Sequence, residues 1–104
     1  MKNSKRKNLE SKGWKVASVD EFLGLSKEES EFIELKLNLA HYLKTKRLNK
    51  KYSQEDLAKQ IHSSQSRIAK MERGDPSVSV DLLIHSLLSL GTTRRELAKV
   101  IGSS

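Results

Sequence analysis

The sequence predicts an all-α fold. Its 104 residues include one proline and five glycines, and no segment alternates β-branched or aromatic residues with polar ones as a strand would. Apolar residues recur instead at helical spacing in several stretches, and most of these stretches follow a residue that caps helices well. A chain of this length is expected to form one domain with a modest core.

The first long helix is predicted to run from Ser26 to about Arg47. Ser26 and Glu29 have the spacing of a capping box, and early acidic residues suit the positive end of the helix dipole. The predicted apolar stripe contains large side chains at helical spacing, Phe32, Leu35, Leu39 and Leu43, widened by Ile33, Leu37 and Ala40. Basic side chains crowd the end of this helix and the loop after it, where they complement the negative end of the helix dipole and are also candidates for contact with phosphate: Lys44, Lys46, Arg47, Lys50 and Lys51.

Four shorter helices are predicted after this loop. Ser53 caps the first, and the second lies within residues 63–74. Ser77 or Ser79 caps the third, which is apolar nearly all round and therefore predicted to be the buried centre of the domain, and Gly91 ends it. Thr93 and Glu96 form a capping box for the last helix.

The positive charge is concentrated in the middle of the chain. Residues 1–34 hold seven basic and seven acidic side chains, and residues 74–104 hold three of each. Residues 35–73 hold ten basic side chains against three acidic ones, which accounts for the whole net charge of +7. A localised positive field favours a polyanionic partner, nucleic acid first, whereas a merely soluble basic surface would spread the excess more evenly.

The N-terminal quarter is predicted to contain two segments that precede the domain of residues 26–104. Residues 1–12 are polar and lysine-rich and are predicted to be a flexible basic arm, either a solvated tail or an arm that reaches into a DNA minor groove. Residues 13–25 contain several apolar side chains, and we expect Trp14 to anchor them on the domain. The acidic residues that follow, from Asp20 to Glu34, form either a solvated helix face or a surface for a basic protein.

Residues 63–74 have the surface chemistry of a DNA-reading helix. In helical geometry Ile68 and Met71 point inward. The outer face then carries amide, hydroxyl and cationic groups without a carboxylate: Gln65, Ser66, Arg67, Ala69, Lys70 and Arg73. Such groups suit base edges and phosphates. The preceding helix would place Leu57, Ala58 and Ile61 against this one, and the small Ala58 allows a close crossing.

The segment SQEDLAKQIHSSQSRIAKMERG resembles the helix-turn-helix of the lambda Cro/repressor-type (XRE) family of DNA-binding proteins, with about ten typed positions in order across residues 53–74. The resemblance implies a five-helix, lambda-repressor-like domain with its helix-turn-helix at about residues 53–73. One position departs from the pattern, because His62 stands where the family usually has a turn glycine. We therefore expect His62 to adopt a left-handed conformation.

A recognition helix in the major groove would present its N-terminal residues to base edges. Gln65 suits adenine, Lys70 guanine, Ser66 either, and Ala69 a thymine methyl. The family pattern implies that Gln54 contacts a phosphate and lies against Gln65. The remaining predicted phosphate contacts are cationic: Arg67, Arg73, Lys50 and Lys51. Each of these cations is alternatively a solvated side chain.

The resemblance also implies a homodimer, since two copies would read half-sites about 34 Å apart in an inverted repeat. The last apolar stripe, Leu97, Val100 and Ile101, is the predicted interface, with packing on the domain's own core as the alternative. The predicted function is a sequence-specific transcriptional regulator that acts as a repressor. The alternative is an antitoxin, because the chain also resembles HigA-type antitoxins, which neutralise a basic ribonuclease toxin and repress their own operon.

Nothing in the sequence favours an enzyme or a cofactor. His41, His62 and His85 lie far apart without metal-ligand spacing, and no glycine-rich phosphate loop or serine-nucleophile motif is present. The chain has no cysteine and no apolar run near the roughly 20 residues that span a membrane, and no signal-peptide core follows its basic start. We expect a cytoplasmic protein.

Overall fold

The computed structural model describes residue 24 and residues 26–102. Five helices follow one another in this part of the chain, and it contains no strand. They are α1 (Lys27–Asn49), α2 (Gln54–Gln60), α3 (Gln65–Glu72), α4 (Val80–Ser89) and α5 (Arg94–Gly102). The all-α, five-helix prediction is confirmed. The predicted basic arm, residues 1–12, lies outside the described residues. Of the 13–25 segment only Gly24 is described, so Trp14 also lies outside them.

The predicted helix starts are confirmed by their hydrogen bonds. The Ser26–Glu29 box is present, with the Ser26 N–H donating to Oε1 of Glu29 over 2.8 Å and the Glu29 N–H donating to Oγ of Ser26 over 3.1 Å. Ser53 caps α2, and the Leu82 N–H donates to Oγ of Ser79, which therefore is the residue that caps α4. The Glu96 N–H donates to Oγ1 of Thr93 at the start of α5. Because these contacts lie within four residues of chain, the sequence alone predicts them.

The chain divides into one unit of residues 1–34 with residue 104 and a second unit of residues 35–103, so α1 begins in the first and ends in the second. The core of the second unit is made by all five helices and the α3–α4 loop. Its buried apolar residues are Leu39, Ala40, Leu43, Leu57, Ala58, Ile68, Met71, Val78, Leu83, Leu87, Leu90 and Leu97. This core fixes α2 and α3 relative to the end of α1.

On α1 and α4, fewer apolar side chains are buried than the sequence predicts. On α1, Leu39, Ala40 and Leu43 are buried, but Phe32, Ile33 and Leu37 remain 53%, 42% and 48% exposed. On α4, Leu83 and Leu87 are buried, whereas Leu88 is 45% exposed. The prediction that α4 is the buried centre of the domain is wrong, because one face of this helix, with Asp81, His85 and Leu88, is exposed.

Four helices end in the same backbone arrangement. After α2, the Ser63 N–H donates to the Ala58 carbonyl over 2.7 Å and the His62 N–H to the Lys59 carbonyl over 3.4 Å, which is a Schellman motif. The equivalent pairs of bonds follow α1, α3 and α4. The residue with positive φ is glycine after α3 and α4, at Gly74 and Gly91, but Lys51 after α1 and His62 after α2.

Candidate nucleic-acid interface

The turn between α2 and α3 depends on His62, whose φ is 57°. The expected left-handed conformation is therefore confirmed at the position where the resembled family has glycine. It reverses the chain within four residues, from the last turn of α2 to Ser64. The Arg67 N–H donates to Oγ of Ser64 over 3.2 Å, so α3 begins after this residue. Ser63 and Ser64, which the sequence placed at the start of a helical stretch, precede α3.

The buried faces of α2 and α3 are those that the sequence predicts. Leu57, Ile68 and Met71 are completely buried, and Ala58 is 4% exposed. Ile61 is half-buried and packs against the same core. The buried Ala58 side chain is small enough for the close helix crossing that a helix-turn-helix requires. With Ile68 and Met71 fixed inward, the opposite face of α3 must point to solvent.

The predicted base-contact residues share this outer face. Gln65, Ser66 and Lys70 are exposed, and Ala69 is half-buried. Gln65 and Ser66 lie in the first turn of α3, next to the Ser64 cap. A helix that enters a major groove with its N-terminus first would bring these groups to the base edges. The structure thus gathers the four residues, and their base contacts stay a prediction.

Gln54 joins the starts of α2 and α3. Nε2 of Gln65 donates to Oε1 of Gln54 over 2.8 Å, which confirms the expected position of Gln54 against Gln65. Nε2 of Gln54 in turn donates to Oε1 of Glu72 over 3.1 Å. The amide of Gln65 is therefore oriented by a neighbour that is itself held in place.

A nearly buried ion pair anchors this chain of hydrogen bonds. The guanidinium of Arg47 binds both carboxylate oxygens of Glu72, with Nε–Oε2 at 2.5 Å and Nη2–Oε1 at 3.1 Å, and donates to the Tyr52 carbonyl over 2.8 Å. The two side chains are only 9% and 4% exposed. Arg47 joins the end of α1 to the end of α3 across 25 positions of sequence.

The sequence places Arg47 among the cations predicted to lie near phosphate. The structure corrects this prediction, because Glu72 matches the charge of Arg47. The spacing of the two residues in the sequence indicates such a pair. Arg47 lies four residues after Leu43 and Glu72 four residues after Ile68, so both continue a core-facing stripe by one turn. A charged residue at such a position needs a partner of opposite charge.

The other predicted phosphate contacts differ in how they are paired within the described part of the chain. Lys50, Lys51 and Arg67 are exposed, and their side chains make no hydrogen bond or ion pair there. Lys51 has a φ of 61°, which fixes the loop that carries it. Lys70 on the base-contact face is likewise unpaired. These cations keep their full charge for an external anion.

Arg73 is the exception among the predicted phosphate contacts. Its Nη2 lies 3.4 Å from Oδ2 of Asp75, and the Arg73 side chain is 61% exposed. Asp75 also accepts hydrogen bonds from the hydroxyl and N–H of Ser77, over 2.7 and 2.9 Å. These bonds from Ser77, aided by the charges of Arg73 and Lys70, lower the pKa of Asp75 below its ordinary value. Part of the charge of Arg73 is therefore offset before any DNA phosphate approaches.

The predicted dimer residues occupy three different environments. Leu97 is 7% exposed and belongs to the domain's own core, and Val100 packs against that core. Ile101 is 46% exposed. Packing on the domain's own core, the alternative weighed for this stripe, thus describes Leu97, and Ile101 is the member that a second copy would reach most readily.

The described residues were also compared with the patterns of metal sites and of membrane-spanning helices. Between residues 26 and 102, no three His, Asp or Glu side chains converge as metal ligands would. No helix among α1 to α5 combines the length and hydropathy needed to cross a membrane.

Residues 43–84 match a protein-family model described as Helix-turn-helix. The match supports a DNA-binding helix-turn-helix in this segment, the feature expected from the resemblance to the Cro/C1 (XRE) type. The match begins in the last two turns of α1, includes α2 and α3 whole, and ends within α4, so it covers less than half of the chain. Searches of curated proteins and of solved structures gave no significant match. The matched segment contains every predicted base and phosphate contact.

Proposed function

We propose that this XRE-type protein is a sequence-specific repressor that binds an inverted-repeat operator as a homodimer. The observation that carries the proposal is the outer face of α3. It presents Gln65, Ser66 and Lys70 to solvent, with the one carboxylate of α3, that of Glu72, turned inward to Arg47. Anionic DNA meets amide, hydroxyl and ammonium donors on this face and no opposing charge.

The cations around α3 divide into two roles in this proposal. Lys70, with Gln65, Ser66 and Ala69, reads base edges, while Arg67, Arg73, Lys50 and Lys51 bind phosphates. Gln54 holds a phosphate and orients Gln65. Base contacts give sequence preference, whereas phosphate contacts give affinity that falls as salt rises. Binding over a promoter would exclude polymerase, which is the simplest way for a small DNA-binding domain to repress transcription.

Two copies are proposed because one small module reads few bases. A two-fold dimer places two recognition helices about 34 Å apart, one turn of DNA. The exposed Ile101 on α5 is the residue that we assign to the dimer contact, supported by Val100 and by Leu97 beneath them. Burying such a side chain between two copies removes apolar surface from water.

The oligomeric state tests this assignment directly. We expect a dimer by sedimentation on the operator, and Ile101→Asp should convert it to a monomer while leaving the fold intact. The matched control is Leu48→Asp, because Leu48 is a similarly exposed apolar residue, at 53%, near the end of α1. A protein that stays monomeric both free and on its operator would refute the dimer.

An antitoxin is the second candidate function, and a different surface favours it. The first two turns of α1 expose Phe32 and Ile33 beside acidic side chains, Glu28, Glu29 and Glu31. An acidic helix face with apolar side chains suits a basic protein such as a ribonuclease toxin. In that case the same α3 would repress the operon that encodes both proteins.

The partner gene and its product test the antitoxin function. A toxin-sized reading frame next to this gene, whose basic product co-purifies with the protein and is released by Phe32→Asp, would support it. Leu48→Asp again serves as the control for a general loss of solubility. A neighbouring product that does not bind, or that binds the Phe32→Asp variant equally well, would contradict the antitoxin role.

A further inference from the structure

A second polar surface lies beside the recognition helix, between the α2–α3 turn and α4. It is an open cleft of about 670 Å³. Polar side chains contributed by three elements line it: His62, Ser63, Arg67, His85, Ser86 and Ser89. We call this surface the α2–α4 cleft. Its volume lies within the range of small-molecule sites.

The lining of the α2–α4 cleft carries hydrogen-bond donors and positive charge without a carboxylate. Arg67 is a permanent cation, and each imidazole of His62 and His85 offers at least one N–H donor. Gln60 adds an amide, and only Ile61 and Leu82 are apolar. A concave surface with charge of one sign concentrates counterions of the other, so the ligand class that fits is an anion.

Two of these groups lack partners among the described residues. Arg67 pairs with no carboxylate there, in contrast to Arg47 and Arg73. The Oγ of Ser63 is buried and has no hydrogen-bond partner, although Ser63 belongs to the lining of the cleft. His62 also belongs to the lining, at a position of positive φ where glycine would bring no side chain to the cleft.

We propose that the α2–α4 cleft binds a phosphate group through Arg67, His62 and His85. Guanidinium forks match the oxygens of phosphate, and imidazole N–H groups add charge-assisted bonds. The volume leaves room for the body of a phosphate ester next to the bound group. Two sources offer this chemistry, a free phosphorylated small molecule and the phosphodiester backbone of DNA beyond the recognition helix.

Arg67 connects the cleft to the DNA-binding face. The same side chain also lines a groove with Ser64, Ser66 and Lys70 on the other side of α3. A free phosphate ester bound in the cleft would hold Arg67 there and withdraw it from a DNA phosphate. This regulatory effect rests on the proposed DNA-binding function, whereas phosphate binding itself does not.

The test is a titration of the full chain with inorganic phosphate, followed through its amide and imidazole NMR resonances at constant ionic strength. We expect saturable shifts at His62, His85 and their neighbours. His85→Ala and His62→Gly should each weaken binding by about tenfold, since each removes an imidazole N–H that would bond the charged phosphate. His41→Ala, which removes an exposed imidazole of α1 outside the cleft, should bind phosphate as the parent protein does.

The outcome of the titration decides the proposal without any DNA. Shifts that sodium chloride reproduces, or variants of His62 and His85 that bind phosphate like the His41 variant, would overturn it. DNA-binding arms then identify the source. Phosphate that competes with DNA for the parent protein but not for His85→Ala supports a free ligand, and a loss of DNA affinity on His85→Ala in phosphate-free buffer supports the DNA backbone.

Discussion

Gln65 donates a hydrogen bond from Nε2 to Oε1 of Gln54, 2.8 Å away, although the two residues begin different helices. The bond leaves Oε1 of the exposed Gln65 and one amide hydrogen without a partner among the described residues. A bidentate pair with adenine needs one acceptor and one donor from the amide. Gln54 therefore prepares Gln65 for this contact before DNA is bound.

This arrangement predicts that Gln54→Ala loosens sequence preference at the base pair read by Gln65. Without Oε1 of Gln54 as acceptor, the Gln65 amide rotates freely in the unbound protein. It then loses conformational entropy when it binds the base. We expect preference at that base pair to fall by about 0.5–1.5 kcal/mol, the net contribution of one hydrogen bond. Binding to a set of single-base operator variants measures it. If Gln54→Ala and Gln65→Ala have additive effects, Gln54 acts only through its own phosphate contact.

The Arg47–Glu72 pair predicts a large loss of stability when one partner is removed. Arg47→Ala leaves a carboxylate that is only 4% exposed without its counterion, and it also frees the Tyr52 carbonyl. Breaking a buried pair in this way costs about 3–5 kcal/mol, much of the stability of a domain this size. Urea unfolding followed by circular dichroism measures the change.

The double variant Arg47→Met with Glu72→Met is the matched control for that experiment. Replacing both charges by apolar side chains of similar length removes the desolvation cost along with the attraction, and we expect stability near that of the parent. A loss below about 1 kcal/mol for Arg47→Ala alone, the value typical of a surface pair, would contradict a structural role for the ion pair.

Glycine at two helix ends is predicted to stabilise the protein. Lys51 and His62 have φ values of 61° and 57°, a region that costs side chains with a Cβ more than it costs glycine. We expect His62→Gly and Lys51→Gly each to raise the free energy of unfolding by about 0.5–1 kcal/mol after the entropy of the unfolded chain is included. Thermal unfolding checks both variants.

The same pair of variants separates stability from DNA affinity. Lys51→Gly should weaken binding to all DNA sequences alike, because it removes a predicted phosphate contact while the fold becomes more stable. Destabilisation by either glycine would contradict the strain assigned to these turns. The opposite change, Gly91→Ala, should destabilise through the backbone alone, because φ is 89° and no atom lies within 4 Å of the added Cβ.

Two helix caps and the turn formed by Asp75 and Ser77 predict a dependence of stability on acid. The Ser53 N–H and hydroxyl lower the pKa of Asp56 below 3.8, hydrogen bonds from Ser77 lower that of Asp75 below 3.8, and the Thr93 N–H with Lys46 lowers that of Glu96 below 4.5. Because each folded-state pKa is depressed, the stabilisation is complete above the ordinary value and disappears as pH falls through the folded value.

The measurement for this prediction is chemical unfolding at a series of pH values. Stability should be constant above about pH 5 as far as these groups are concerned, and should fall progressively below their ordinary pKa values. Asp56→Asn should reduce the loss of stability at low pH, because one of the three groups no longer titrates. An equal acid dependence for Asp56→Asn and the parent protein would contradict the contribution of the Ser53 cap.

The sequence was sufficient for features that are local along the chain. Capping boxes at Ser26 and Thr93, the Ser53 cap and the left-handed turn at His62 each involve residues within four positions of one another. The inward faces of α2 and α3 follow from helical spacing in the same way. These features together predict the helix-turn-helix and the outer face of α3.

Features that depend on distant residues could not be predicted in the same way. Arg47 and Glu72 are 25 positions apart, and nothing local shows that a terminal cation of α1 meets the end of α3. Phe32 and Leu37 fit the apolar stripe of α1 but are exposed, because burial depends on what packs there and not on the spacing. The left-handed conformation of Lys51 could not be predicted, because position 51 holds neither glycine nor asparagine.

The most direct test of DNA reading by α3 is selection of binding sites from random DNA, repeated with Gln65→Ala and Arg67→Ala at two salt concentrations. We expect an inverted-repeat site, with Gln65→Ala losing about 1–3 kcal/mol of preference at one base pair per half-site. Arg67→Ala should weaken all sequences alike and reduce the salt dependence by about one phosphate contact. Equal, sequence-independent losses from both variants, or no selected site at all, would contradict the account.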